Sequence, residues 1–116
     1  MTDRAPSLAP AHPGIGTVYL VLDDFGALGR VYREMDETEA DPTHIVRHMV
    51  RGEFNRPLRV VAFNVDEGWS RDVSAEIAEA VADVADEQRR SLSRTAREFL
   101  EHHLPRDRDI PREVYS

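Results

Sequence analysis

The chain has 116 residues, of which 41% are apolar and 32% charged, so it has room for one modest globular domain and none for a membrane span. It contains no cysteine, which excludes disulfides and thiolate metal sites and favours the cytoplasm. The net charge of −7 argues against general affinity for nucleic acid or anionic lipid.

The composition divides the chain into three parts. Residues 1–16 contain three prolines among small residues, which is typical of a flexible leader. Residues 17–104 carry the long apolar patterns and form the predicted single α+β domain. Residues 105–116 predict a charged tail.

Two strands are predicted at the start of the domain. Thr17 to Leu22 is a solidly β-branched and aromatic run, and Arg30 to Met35 alternates as a more exposed strand would. Asp23 to Gly29 is the predicted loop between them, which makes the pair an antiparallel hairpin. A helix over Leu28 to Met35 is the alternative interpretation.

A helix is predicted from Pro42 to Arg51. Asp41 is a favourable cap, proline is favoured at the first helical position, and Gly52 is a natural stop. The apolar residues of this segment recur on one face at helical spacing: Ile45, Val46, Met49 and Val50.

The centre of the domain is predicted to be a strand from Leu58 to Val65. Its nearly continuous apolar run indicates burial on both faces. Asn64 to Gly68 then forms a polar turn, and Ser70 or Asp72 is expected to cap a following helix. Trp69, beside this turn, either packs back onto the helix or presents an exposed anchor to a partner.

An amphipathic stripe continues from Val73 to Phe99. One unbroken helix reaching His103 would be on the order of 45 Å long, more than a domain of this size needs. The pattern therefore favours a break at Arg90–Ser93, where a serine can cap a second helix. The alternative is a single helix that projects and finds a partner.

These elements predict the order β-β-α-β-α, with one further C-terminal helix if the break exists. A right-handed crossover through the first helix makes the second and third strands parallel, with the first strand between them and antiparallel to both. The predicted fold is therefore an α+β domain with a three-stranded mixed sheet packed with helices.

Two pairs of carboxylates follow predicted strands, Asp23 with Asp24 and Asp66 with Glu67. If the strands brought them together, they could bind Mg²⁺ or Mn²⁺ and support a divalent-metal-dependent hydrolase or phosphotransfer-type enzyme. Antiparallel strands would instead place the pairs at opposite ends of the sheet. Acidic turns without a ligand are the simpler interpretation, and no cofactor is predicted.

Charge is divided sharply along the last helical segment. Residues 66–87 contain eight acids and one base, whereas residues 88–97 contain four arginines and no acid. Arg90, Arg94 and Arg97 would form one helical stripe, with Arg89 beside it. The division suits helix dipoles and solubility, or an antiparallel pairing of two copies, or a stripe that binds nucleic-acid phosphates.

The stretches YLVLDDFG and VVAFNVDEGWSRDVSAEIA resemble a family of small bacterial proteins of uncharacterised function. The resemblance spans Thr17 to Ala82. It implies that Asp23–Gly26 and Asn64–Ser74 belong to one structural unit, and it implies no activity, cofactor or catalytic residue.

The sequence contains no catalytic constellation, which favours an interaction or regulatory protein over an enzyme. We expect a homodimer formed through the helix after Ser70, or association with another protein, rather than binding to nucleic acid or membrane. The expected contact residues are Trp69, Arg90, Arg94 and Arg97. The metal-dependent enzyme and a nucleic-acid-associated module using the Arg89–Arg97 stripe are the alternatives.

Overall fold

The computed structural model describes residues 17–34, 42–105, 107, 108 and 110, so the predicted leader lies outside the described residues. Within this part of the chain, four strands and three helices form an α+β fold, which confirms the predicted class. In chain order they are β1 (Thr17–Asp24), β2 (Arg30–Glu34), α1 (Pro42–Val50), β3 (Pro57–Asn64), β4 (Trp69–Asp72), α2 (Ser74–Gln88) and α3 (Arg94–His103), with a 3-10 turn at Gly26–Leu28.

The strands form one sheet in the order β2-β1-β3-β4, and each neighbouring pair is antiparallel. The prediction that β1 lies between β2 and β3, antiparallel to both, is confirmed. The prediction of a three-stranded mixed sheet is wrong in two respects. A fourth strand pairs with β3, and every pair of neighbouring strands is antiparallel, so the sheet is not mixed.

The missed strand, β4, follows a turn that the sequence made look like a strand-to-helix junction. Asn64 holds this turn together: its Oδ1 accepts from the Glu67 N–H, and its carbonyl accepts from the Gly68 N–H, each at 2.8 Å. Gly68 supplies the positive φ of 74° that closes the turn. The chain therefore doubles back as a hairpin, in which Trp69 pairs with Asn64.

The helix after Ser70 begins only at Ser74, because Ser70 lies on β4. Asp72 Oδ1 accepts from the Ser74 N–H at 2.8 Å, so this carboxylate serves a donor in the first turn of α2. The predicted break is confirmed. α2 ends at Gln88, and Ser93 Oγ caps α3 by accepting from the Ala96 N–H at 3.2 Å.

One face of the sheet carries the hydrophobic core. We call it the covered face; its side chains, each at most 6% exposed, are Tyr19, Val21, Val60 and Ala62. The helices pack against it with Ile45, Val46, Met49 and Val50 from α1, Ile77, Ala78, Val81, Ala82 and Ala85 from α2, and Ala96, Phe99 and Leu100 from α3. The apolar stripes seen in the sequence thus pack a single layer of helices against this face.

Asp23 ends β1 on this same covered face with no exposed surface. Its carboxylate accepts from the N–H groups of Asn55 at 2.9 Å and Arg56 at 2.7 Å, and from Arg33 Nη1 at 3.1 Å. These bonds tie the segment that enters β3 to the end of β1. A buried carboxylate is stable here because it is both hydrogen-bonded and paired with a charge.

The first residues of the predicted tail lie against α2. Arg108 Nη2 is 2.9 Å from Asp83 Oδ1 and 3.6 Å from Asp86 Oδ2, and Ile110 packs against the core. This part of the charged segment is therefore attached to the domain.

Candidate interaction surface

The opposite face of the sheet is also apolar. Side chains alternate along each strand, so the residues between those of the core point to the other side. Cross-strand pairs bring them together: Val18 lies opposite Phe63, Leu20 opposite Val61, and Leu22 opposite Tyr32. We call this set the uncovered face; its members are Val18, Leu20, Leu22, Tyr32, Val61 and Phe63.

No described helix covers this face. Five of its six side chains are partly exposed, and Tyr32 is 49% exposed. Within the described residues, none of the six belongs to the core or packs against it. A contiguous apolar patch of this kind marks an interaction site more often than a free surface.

The rim of the uncovered face carries charges of both signs. Asp24 and Arg30 lie opposite each other at one end, and Arg59 Nε is 3.3 Å from Asp72 Oδ2 beside Val61. Burial alone would raise the pKa of Asp72, but hydrogen bonds from Ser74 and the charge of Arg59 outweigh it and hold that pKa below its usual value. Asp72 therefore stays ionised as a rim charge.

The structure separates the four carboxylates considered as metal ligands. Asp23 lies where β1 meets the start of β3, whereas Asp66 and Glu67 follow the far end of β3. Asp24 Oδ1 accepts from the Gly26 N–H at 2.8 Å, which stabilises the turn after β1. No group of three acidic or histidine side chains in the described residues could hold one metal ion.

Trp69 packs inward. It is half-buried at the start of β4, contacts the core, and donates its indole N–H to Glu67 Oε1 at 2.8 Å. Of the two interpretations offered by the sequence, the structure shows the packed one.

The arginines form no single helical stripe. Arg89 and Arg90 lie between the helices, and Arg94 and Arg97 belong to α3, so the break in the helix separates Arg90 from the other two. The acids occupy the exposed side of α2, and we call this the acidic face: Glu76, Glu79, Asp83, Asp86 and Glu87. Two copies that met through α2 would therefore place like charges opposite each other.

The uncovered face escaped the sequence reasoning for a physical reason. The apolar run of β3 indicates burial on both faces, but it does not show what covers each face, and a run of this kind arises equally when a partner covers one of them. A signal was available: β1 is apolar at Val18, Leu20 and Leu22 as well as at the alternate positions, while three short helices are enough for only one layer.

No described helix combines the length and the apolar character that crossing a membrane requires. No family model matches the chain, and no curated protein or solved structure matches it either. The resemblance to small bacterial proteins therefore stays a prediction. The two stretches that carry it include β1 and β3, which pair directly in the sheet.

Proposed function

We propose that the protein works by association, as a two-fold homodimer in which two uncovered faces pack together, and that its role is interaction or regulation rather than catalysis. The observation that supports this is the contiguous apolar patch of six side chains on the side of the sheet away from the helices. Packing two sheets face to face, about 10 Å apart, is an established way to bury such a surface.

The size of the surface suits a weak dimer. β1 and β3 have eight residues each, about 26 Å at ~3.3 Å per residue, whereas β2 has five and β4 four, and the four strands together are about 19 Å wide. Two such faces bury on the order of 800 Å², which is in the range of weak, transient interfaces. The rim charges suit a two-fold axis, because each copy offers both signs to the other.

The charge distribution favours the sheet over the helices. The acidic face of α2 would repel a second copy, whereas the uncovered face has an apolar centre and a mixed rim. Association through Arg90, Arg94 and Arg97 would need acidic residues from a different surface.

Sedimentation velocity of the purified chain across a range of concentrations tests the proposal. We expect a dimer whose dissociation constant changes little between low and high salt, because apolar contacts supply most of the free energy. A monomer at every concentration would overturn it.

Two substitutions test the surface itself. Leu20→Lys places a charge at the centre of the interface and should give a folded monomer, since two like charges would be buried across the axis. Ala75→Lys adds the same charge on exposed α2 and should leave the dimer intact. If circular dichroism shows that Leu20→Lys does not fold, the milder Val61→Thr should still weaken the dimer.

A third variant tests the helices as the interface. Arg90→Glu combined with Arg94→Glu reverses two charges outside the sheet and should leave dimerisation unchanged. If this variant became monomeric while Leu20→Lys stayed dimeric, the interface would lie on the helices and the proposal would be wrong.

A further inference from the structure

A groove runs along the junction of α1 and α2, in the helical layer and away from the uncovered face. It consists of two adjoining clefts of 240 Å³ each, which share Thr43, Val46 and Val84 in their walls. Because α1 has nine residues, the groove is on the order of 13 Å long. We call it the α1–α2 groove.

One end of the groove is cationic. Arg47 and Arg51 from α1 and Arg90 from the α2–α3 link line the first cleft, and no described acid joins them. Arg47 and Arg90 have no side-chain partner within the described residues, and Arg51 has only a 4.0 Å contact with Glu53. Three arginines from two segments line this cleft, two of them without a side-chain partner among the described residues, and arginine binds carboxylate and phosphate groups well.

The backbone holds Arg90 at this position. α2 ends with Arg89 in a left-handed conformation, φ 51°, and the Arg90 N–H donates to the Ala85 carbonyl at 2.9 Å. Arg89 is the one residue other than glycine with positive φ in the described part of the chain. Residues with a Cβ rarely adopt this conformation, and it precedes the arginine that lines the first cleft.

The other end of the groove is apolar. Val46 and Val84 line both clefts, and Ile77 and Ala80 continue the apolar lining along α2 in the second cleft. The single acid there, Glu76, is already paired with Arg71 Nη1 at 2.6 Å. The lining thus changes along its length from three positive charges to hydrocarbon.

We propose that the α1–α2 groove binds a small amphipathic anion, an acyl carboxylate or acyl phosphate, with its head group at Arg47, Arg51 and Arg90 and its chain along Val46, Val84 and Ala80. The complementarity is twofold: the arginine side chains match the anionic head, and the apolar lining matches the chain. A free inorganic anion would use only half of the groove, and an apolar cation would meet repulsion at its charged end.

Decanoate is a suitable probe, titrated below its micelle concentration into the ¹⁵N-labelled full chain and followed by NMR. We expect saturable shifts of amides on α1, α2 and the α2–α3 link. Decyltrimethylammonium, which has the same chain and the opposite charge, should produce none of them. Inorganic phosphate should bind more weakly than decanoate.

Variants assign the two halves of the groove. Arg47→Gln with Arg90→Gln should weaken decanoate binding about tenfold, because two charge-assisted hydrogen bonds are lost. Arg30→Gln with Arg94→Gln removes the same charge from exposed arginines outside the groove and should keep wild-type affinity. Ala80→Glu should weaken decanoate but leave phosphate binding unchanged.

Several outcomes would overturn the proposal. These are the absence of saturable shifts, equal binding of decanoate and its cationic analogue, equal binding of decanoate and phosphate, or shifts confined to the uncovered face. A loss in the Arg30→Gln, Arg94→Gln control as large as in the groove variant would reduce the effect to net charge and would also overturn it. None of these results depends on whether the chain is a dimer.

Discussion

The two faces of the sheet are built from the same two central strands and from similar residues, yet they differ in what surrounds them. On the covered face, three helices bury the apolar side chains, and the buried side chains of Asp23 and Ser74 are hydrogen-bonded. On the uncovered face, apolar side chains lie beside one another and no described helix packs on them. Apolar patterning therefore indicates that a face is buried, but it does not indicate whether the chain itself or a partner buries it.

The largest expected effect concerns the buried polar end of the covered face. Asp23→Ala would leave the N–H groups of Asn55 and Arg56 and the guanidinium of Arg33 without their acceptor. We expect a loss of about 3 kcal/mol or more in the free energy of unfolding, measured by urea denaturation. Asp24→Ala, the adjacent control, loses one exposed turn bond and should cost less than about 1 kcal/mol.

If both variants lost the same stability, the distinction between the two faces at this end of β1 would be wrong. Asp23→Asn removes the negative charge but keeps the shape of the side chain. It keeps one acceptor oxygen, so it should fall between the wild type and Asp23→Ala.

The second largest effect is expected on β3, where two neighbouring residues point to opposite faces of the sheet. Val60→Ala removes two buried methyl groups and leaves a small cavity, so it should cost about 2 kcal/mol at any protein concentration. Val61→Ala should lower the free energy of unfolding by less than about 1 kcal/mol in dilute solution, and by more as the protein concentration rises.

Urea midpoints at two protein concentrations separated by a hundredfold measure both values. A cost for Val61→Ala that does not depend on concentration would mean that no second copy covers this face.

A smaller effect is expected where β4 ends. Ser74 Oγ accepts from the Val60 N–H at 2.8 Å and continues the pairing of β3 beyond Asp72. Ser74→Ala would leave that buried donor unsatisfied and should cost about 1–2 kcal/mol. Ser70→Ala, on the uncovered side of β4, should change the unfolding free energy by less than about 0.5 kcal/mol. Thermal and urea unfolding measure both variants, and equal losses for Ser74→Ala and Ser70→Ala would contradict the role given to the Ser74 hydroxyl.

The smallest effect concerns the rim. The lowered pKa of Asp72 means that the folded state keeps this carboxylate ionised to lower pH than the unfolded chain does. Its contribution is therefore complete above about pH 4, the usual value for the unfolded residue, and is lost as the pH falls through the lowered folded value. Asp72→Asn should flatten the acid limb of stability against pH below about 4, and a limb as steep as that of the wild type would argue against it.

The elements with strong local signals were predictable. Pro42 and Gly52 mark the ends of α1, and Ser93 marks the start of α3, because capping and proline effects act within one helical turn. The α+β class and the position of β1 in the sheet followed from element order and crossover handedness.

What the sequence could not show depends on distant or missing partners. β4 has the residues WSRD and shows no alternation of apolar and polar residues. It is an edge strand with only one half-buried side chain, so its sequence need not alternate. The role of Asp23 depends on the backbone of Arg56, 33 residues away, which no local pattern reveals. The α1–α2 groove depends on two segments that meet only in the folded chain.

The placement of β1 also has a consequence for synthesis. Its first neighbour, β2, follows within a few residues, but β3 and the backbone N–H groups that donate to the Asp23 carboxylate come 32 and 33 residues later. At a translation rate of ~5–20 residues per second, the nascent β1–β2 hairpin exposes an unpaired apolar edge for a few seconds. The emerging chain is therefore most vulnerable to misassociation on the ribosome before β3 appears, and a chaperone that shields short apolar edges should raise the yield of native protein.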